Sequence, residues 1–138
     1  MNLFNPLGFA RNGILTDLSL LLLRITFGGL MLVNHGLGKL DKLMAGGEIK
    51  FASVMGMGPE MSLSLAVFAE VLCAGMVALG LLTRMAVVPL IITMLVAAFV
   101  IHGGDPFKKM ESALLYLIPF IVIFWQGAGK FSIDEFIS

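Results

Sequence analysis

Few residues in this chain are able to do chemistry, and they recur at matching depths along it. His35 and His102 are the two histidines, Arg24 and Glu70 stand inside long apolar runs, and Glu111 stands at the edge of another. Imidazole with carboxylate donates hydrogen bonds to carbonyl oxygens and moves protons, which is what a quinone head group needs at a membrane interface. The same side chains ligate iron, zinc or copper, although no HxxxH-like spacing is present to hold such an ion. Met55, Met57 and Met61 have the donor type for soft copper, but ten methionines in so apolar a chain read as packing residues. No glycine-rich phosphate loop, nucleophile elbow or haem-attachment motif occurs. Cys73, the sole cysteine, rules out an intramolecular disulfide and a CxxC redox pair.

The elements that must position these residues follow from composition. Of 138 residues 59% are hydrophobic and 13% charged, a balance that excludes a water-soluble enzyme and leaves an integral membrane protein surrounded by lipid. Nine basic residues balance nine acidic ones, so there is no basic excess to neutralise phosphates, and nucleic acid is excluded as a partner. Crossing about 30 Å of hydrocarbon takes roughly 20 apolar residues in a helix. Four segments meet this in a single domain, at about residues 16–36, 62–82, 84–102 and 110–126, predicting an all-α, antiparallel bundle of four transmembrane helices. Thr16 is the expected N-cap of the first, with Asp17 at the positive end of its dipole. Pro89 falls in the second turn of the third, where a lost hydrogen bond costs least. The fourth has a purely apolar stretch of only 13 residues and borrows its ends from Glu111 and Gln126. Residues 80–83 leave room only for a tight hairpin between the second and third spans. Residues 37–61, with Gly46-Gly47 and Gly58-Pro59, read as a surface loop or short interfacial helix.

Four spans place the N-terminus, the turn at Thr83 and Arg84, and the C-terminal tail on one side, side A. Residues 37–61 and 103–110 lie on the other, side B. Arg11, Arg84, Lys130 and the terminal amine oppose Lys39, Lys42, Lys50, Lys108 and Lys109, a balance too even to set orientation.

An unpaired charge in a span costs about 2.5 to 3.5 kcal/mol on insertion scales, so Arg24 and Glu70 should face the bundle interior. Glu70 shares a stripe with Ala66, Ala74 and Ala78, which suits close helix contact, and Arg24 shares a face with Gly28 and His35. At 1.5 Å per residue each charge lies about 12 Å below opposite surfaces, roughly 6 Å apart along the axis. An Arg24 to Glu70 pair is within reach; the alternative is an arginine that extends to its own surface above a neutral Glu70. His35, His102, Glu111 and Glu70 all fall toward side B, with Arg24 beneath. One shared cavity, binding a quinone head group, is the expectation. On side A, Asp17, Arg84 and Gln126 read as interfacial flanks.

The segments Leu-Leu-Leu-Arg-Ile-Thr-Phe-Gly-Gly (21–29), Asn-His-Gly-Leu-Gly-Lys-Leu (34–40), Phe-Ala-Glu-Val-Leu-Cys-Ala-Gly (68–75), Leu-Gly-Leu-Leu-Thr-Arg (79–84) and Gly-Ala-Gly-Lys-Phe-Ser-Ile-Asp (127–134) together resemble the DoxX family of small bacterial membrane proteins. The resemblance implies a four-helix protein of the bacterial cytoplasmic membrane. It matches Arg24, His35, Gly36, Lys39, Glu70, Arg84, His102, Glu111 and Asp134 to the family's recurring polar positions. Relatives are described as the membrane subunit of a thiosulfate:quinone oxidoreductase, or as part of an oxidative-stress complex with rhodanese-like and superoxide-dismutase partners. What carries over is a class, a quinone-linked redox subunit with protein partners or further copies of itself. A membrane assembly protein without catalysis is the rival class.

Overall fold

In a computed structural model of the chain, which describes residues 13–138, the apolar runs form four long helices among those residues. These are α1 (Ile14–Met44), α2 (Pro59–Leu79), α3 (Thr83–Ile101) and α4 (Phe107–Gln126), followed by a short α5 (Ile133–Ile137). The first three are long and apolar enough to cross a membrane. The 20-residue α4 starts with Lys108, Lys109 and Glu111, which dilute its apolar character at the side B end. The chain is an all-α, multi-pass membrane bundle. Arg11, counted above with side A, lies outside the described residues.

Two boundaries depart from expectation. Gly13, in extended backbone (φ −84°, ψ 177°), precedes α1, so Thr16 lies inside the first turn and does not cap it. Helix α1 also continues past Gly36 to Met44, and it stops before Gly46 and Gly47, both in the left-handed region at φ 74°. The first eight residues of the expected loop, Leu37–Met44, are therefore helix. The expected hairpin is present: Gly80, at φ 74°, ends α2, with the Leu81 N–H donating to Met76 C=O at 2.8 Å and the Gly80 N–H to Val77 C=O at 3.1 Å.

Helices α1 and α2 meet backbone to backbone. A methyl group added at Gly36 would come 2.3 Å from the Glu70 carbonyl oxygen, and one at Gly28 would come 3.0 Å from that of Ala74. In lipid, where apolar burial between helices gains little, such close approach supplies the dispersion contact that holds them. Helices α2, α3 and α4 share a core in which Val77, Val87, Leu90, Phe120 and Ile123 are fully buried. Outward faces carry large apolar side chains such as Leu22, Met85, Leu115 and Ile118, each more than half exposed, as a lipid-solvated surface requires.

Three helices contain π-helical stretches, at Arg24–Gly28 and Met31–Gly36 in α1, Phe68–Cys73 in α2 and Val96–Ile101 in α3. The wider turn re-aims side chains relative to a regular helix and often accompanies functional sites. Toward side B the bundle separates into two pairs, Leu37–Met44 packing on Pro59–Val67, and Val96–Ile101 packing on α4.

Candidate functional site

The space between these two pairs is a cavity of about 380 Å³ lined by all four long helices and by residues of the α1–α2 loop. Most of its wall is apolar, with Met31, Val54, Leu65, Ile92, Met94 and Val96 among the lining side chains. Its polar groups come from separate elements. Glu70, 2% exposed, rises from the π-helical stretch of α2. His35 and Lys39 lie one turn apart on α1, and this pairing exists only because α1 continues past Gly36. His102 closes the end of α3, and Tyr116 stands on α4.

Glu70 pairs with Lys39, not Arg24. The Lys39 ammonium lies 2.8 Å from both carboxylate oxygens; it donates a hydrogen bond to Oε1, while Oε2 is buried and takes only the charge contact. The His35 ring packs edge-on against Tyr116 at 5.4 Å between centroids, and Tyr116 packs edge-on against Phe27 at 5.9 Å. These contacts bridge α1 to α4 and close that side of the cavity. His102 Nδ1 lies 3.0 Å from Asp105 Oδ2, three residues on. This hydrogen bond from His102 holds the Asp105 carboxyl below the usual carboxylate range, and it fixes the ring so that Nε2 is left free of Asp105. Among the described residues, no three His, Cys, Asp or Glu side chains converge to hold a metal ion.

The structure thus brings His35, Glu70 and His102 to one cavity on side B. Two expected members are elsewhere. Glu111 is exposed at the start of α4 and is not part of the lining, because the inward face of that turn is taken by Ser112 and Ala113. Arg24 belongs to the opposite end. It is fully buried, with Nη1 donating to the Ala78 carbonyl at 3.4 Å and Nη2 to that of Phe131 in the C-terminal tail. The axial separation leaves Glu70 within an arginine's reach, but backbone carbonyls nearer side A claim the guanidinium, which makes the reading of an arginine extended toward its own surface the nearer one. Lys39, Asp105, Lys109 and Tyr116 were not selected from residue types. The signals available were the i,i+4 spacing of His35 and Lys39 and the i,i+3 spacing of His102 and Asp105.

Side A is more than interfacial flanks. Asp134 accepts from the Leu82 N–H (2.7 Å), the Thr83 N–H (3.0 Å) and the Thr83 hydroxyl (2.8 Å), and so caps α3 from the tail. The Asp134 N–H donates in return to Gly80 C=O at 2.8 Å. Asp17 accepts from the Lys130 N–H at 3.1 Å, and Arg84 donates to Trp125 C=O at 3.2 Å. A recess of about 540 Å³ lies here, and Asp17, Arg84 and Asp134 on its wall hold the tail.

Residues 19–103, well over half of the chain, match the DoxX family. The chain belongs to the DoxX family. Arg24, His35, Lys39, Glu70 and His102 of this DoxX protein all fall within the matched region. It is similar to an uncharacterized membrane protein, Rv3486, of Mycobacterium tuberculosis, with 37% identity over 50% of this chain and 51% of the relative. The match thus spans about half the length of that curated relative. No solved structure matches the chain.

Proposed function

We propose that the side B cavity of this DoxX protein binds the head group of a membrane quinone, and that the chain serves as the membrane subunit of a quinone-linked redox complex in a bacterial cytoplasmic membrane. The observation that carries this reading is the pairing of two proton-bearing couples, Lys39 with Glu70 and His102 with Asp105, around one apolar-walled cavity. The residues fit the group. A cavity of about 380 Å³ is in the range of small-molecule sites, and its thioether and aromatic walls suit a flat ring. Lys39 and His35 offer donors for one carbonyl oxygen, and the second ring nitrogen of His102 offers one for the other. Glu70, buried and paired with the Lys39 ammonium, is placed to relay a proton between that ammonium and a bound ring. His102, about one third exposed, connects the cavity to water on side B. A quinone there would supply two-electron, two-proton chemistry, with electrons arriving from a protein partner.

Solvent extraction and chromatography of protein purified in mild detergent tests this. Wild-type protein should carry quinone in near-stoichiometric amount, and Glu70→Gln and His102→Ala should each lose most of it. Folded protein that carries none and binds no added short-chain benzoquinone overturns the reading. A partner protein retained without quinone would support the assembly role instead.

A further inference from the structure

We propose that the occupant of the side B cavity enters sideways from the lipid, between α2 and α3, and leaves its isoprenoid tail in that gap. This rests on the quinone reading and adds the route and the class of ligand, a long-tailed amphiphile. The two helices are tied at Gly80 and packed where Phe68–Cys73 meets α3, then part, and Pro59–Val67 has no substantial packing against Val96–Ile101. Leu65 on one rim is 48% exposed and Ile92 on the other 56%, and both also line the cavity. One apolar surface therefore runs from the lipid-facing side of the bundle to the Glu70 and Lys39 pair. The other exits are obstructed. His35 against Tyr116 closes the gap between α1 and α4. The water-facing end lies under the α1–α2 loop, which contributes Phe51, Val54, Met55 and Met57 and is tied down by the Val54 N–H donating to the buried Ser62 hydroxyl at 2.9 Å. A polar head with an apolar tail matches a site whose charges are at the closed end and whose open side faces hydrocarbon.

The test uses the full chain in phosphatidylcholine vesicles containing a phospholipid with a diazirine near the end of one acyl chain, followed by peptide mass spectrometry. Adducts on Ala66, Thr93 and Ala97, which line the cavity, are expected, and added long-chain quinone should reduce them several-fold. Adducts confined to outward residues such as Leu72 and Phe99 overturn the lateral opening. If cavity adducts form and quinone leaves them unchanged, the opening stands and the quinone reading fails. A diazirine on the quinone tail reads the same point directly: labelling at Leu65 and Ile92 supports the route, and labelling at Phe51 and Met57 overturns it. Ala66→Trp, which fills the gap, should lower uptake of long-chain quinone at least fivefold yet retain a tail-less benzoquinone. Equal loss of both means the substitution damages the head-group site, and the adduct pattern then decides.

Discussion

The Lys39 ammonium on α1 sits 2.8 Å from the Glu70 carboxylate on α2, and this contact across the α1–α2 crossing neutralises a side chain that is 2% exposed. It sits directly beside Gly36, whose missing side chain lets the two backbones touch. Charge pairing and close packing at this crossing are therefore one arrangement, and a change in either should be felt by the other.

The pair predicts a specific energetic coupling. Removing Lys39 leaves a buried carboxylate uncompensated, so Lys39→Ala should destabilise the protein by about 2 kcal/mol, with a coupling to Glu70→Gln of about 1 to 2 kcal/mol. Arg24→Met and Glu70→Gln should add within about 0.5 kcal/mol, as independent sites do. A double-mutant cycle from reversible unfolding in mixed detergent micelles measures both, and stronger coupling to Arg24 than to Lys39 would contradict the pairing.

What the sequence revealed and what it concealed divide along physical lines. Apolar runs, the Ala66, Ala74 and Ala78 stripe beside Glu70, and the face that Gly28 shares with Arg24 are side-chain patterns, so the four-helix bundle and the inward direction of Arg24 and Glu70 were legible. The partners of Arg24 were not, because the Ala78 and Phe131 carbonyls belong to the backbone and carry no residue signature. Lys39 was hidden by ending the first helix at Gly36; the glycine reads as a stop, but it is there for contact with Glu70. Nothing in the residue types announced the π-helical stretches. Asp134 and Lys39 were marked only by family resemblance, which registers positions without the reason for them.

Asp134 should impose an acid-side stability limit. Burial alone would raise its carboxyl pKa, but hydrogen bonds from Thr83 and Leu82, with the nearby Arg24 charge, hold it below the usual carboxylate range. A depressed folded value means that the stabilisation is complete above the unfolded pKa of about 3.9 and is lost as pH falls through the folded value. Asp134→Asn should therefore cost about 2 kcal/mol at pH 7. The Tm difference from wild type should hold down to about pH 5 and shrink below about pH 4. A Tm difference independent of pH across this range would show that the ionised carboxylate is not what caps α3.

Two glycines on the same helix should behave oppositely. An added methyl at Gly36 meets the Glu70 carbonyl at 2.3 Å, whereas at Gly29 it meets nothing within 4 Å. Gly36→Ala must push α1 from α2 and should destabilise by about 2 to 3 kcal/mol, while Gly29→Ala should be neutral or stabilising by up to about 1 kcal/mol. Unfolding of the two variants side by side measures this, and equal effects would mean that the helix crossing lies elsewhere.

The last prediction concerns Arg24 as the fastening of the tail. Its guanidinium is fully buried between the end of α2 and the tail segment at Phe131, and a side chain added at Gly80 would collide with it. The tail's other ties, Lys130 to Asp17, Arg84 to Trp125, and Asp134 to Leu82, Thr83 and Gly80, lie on either side of Phe131 and leave its carbonyl to Arg24. Arg24→Met keeps the volume and removes the donors, so the Phe131 carbonyl loses its partner and the tail should open more often. Limited proteolysis should then cut after Lys130 at least tenfold faster than in wild type. Cleavage within α2 and α3 should rise far less, because those helices are held by the core around Val77, Leu90 and Phe120, which is built without tail residues. Should Arg24→Met expose the helices as readily as the tail, the arginine supports the whole bundle and not this one segment.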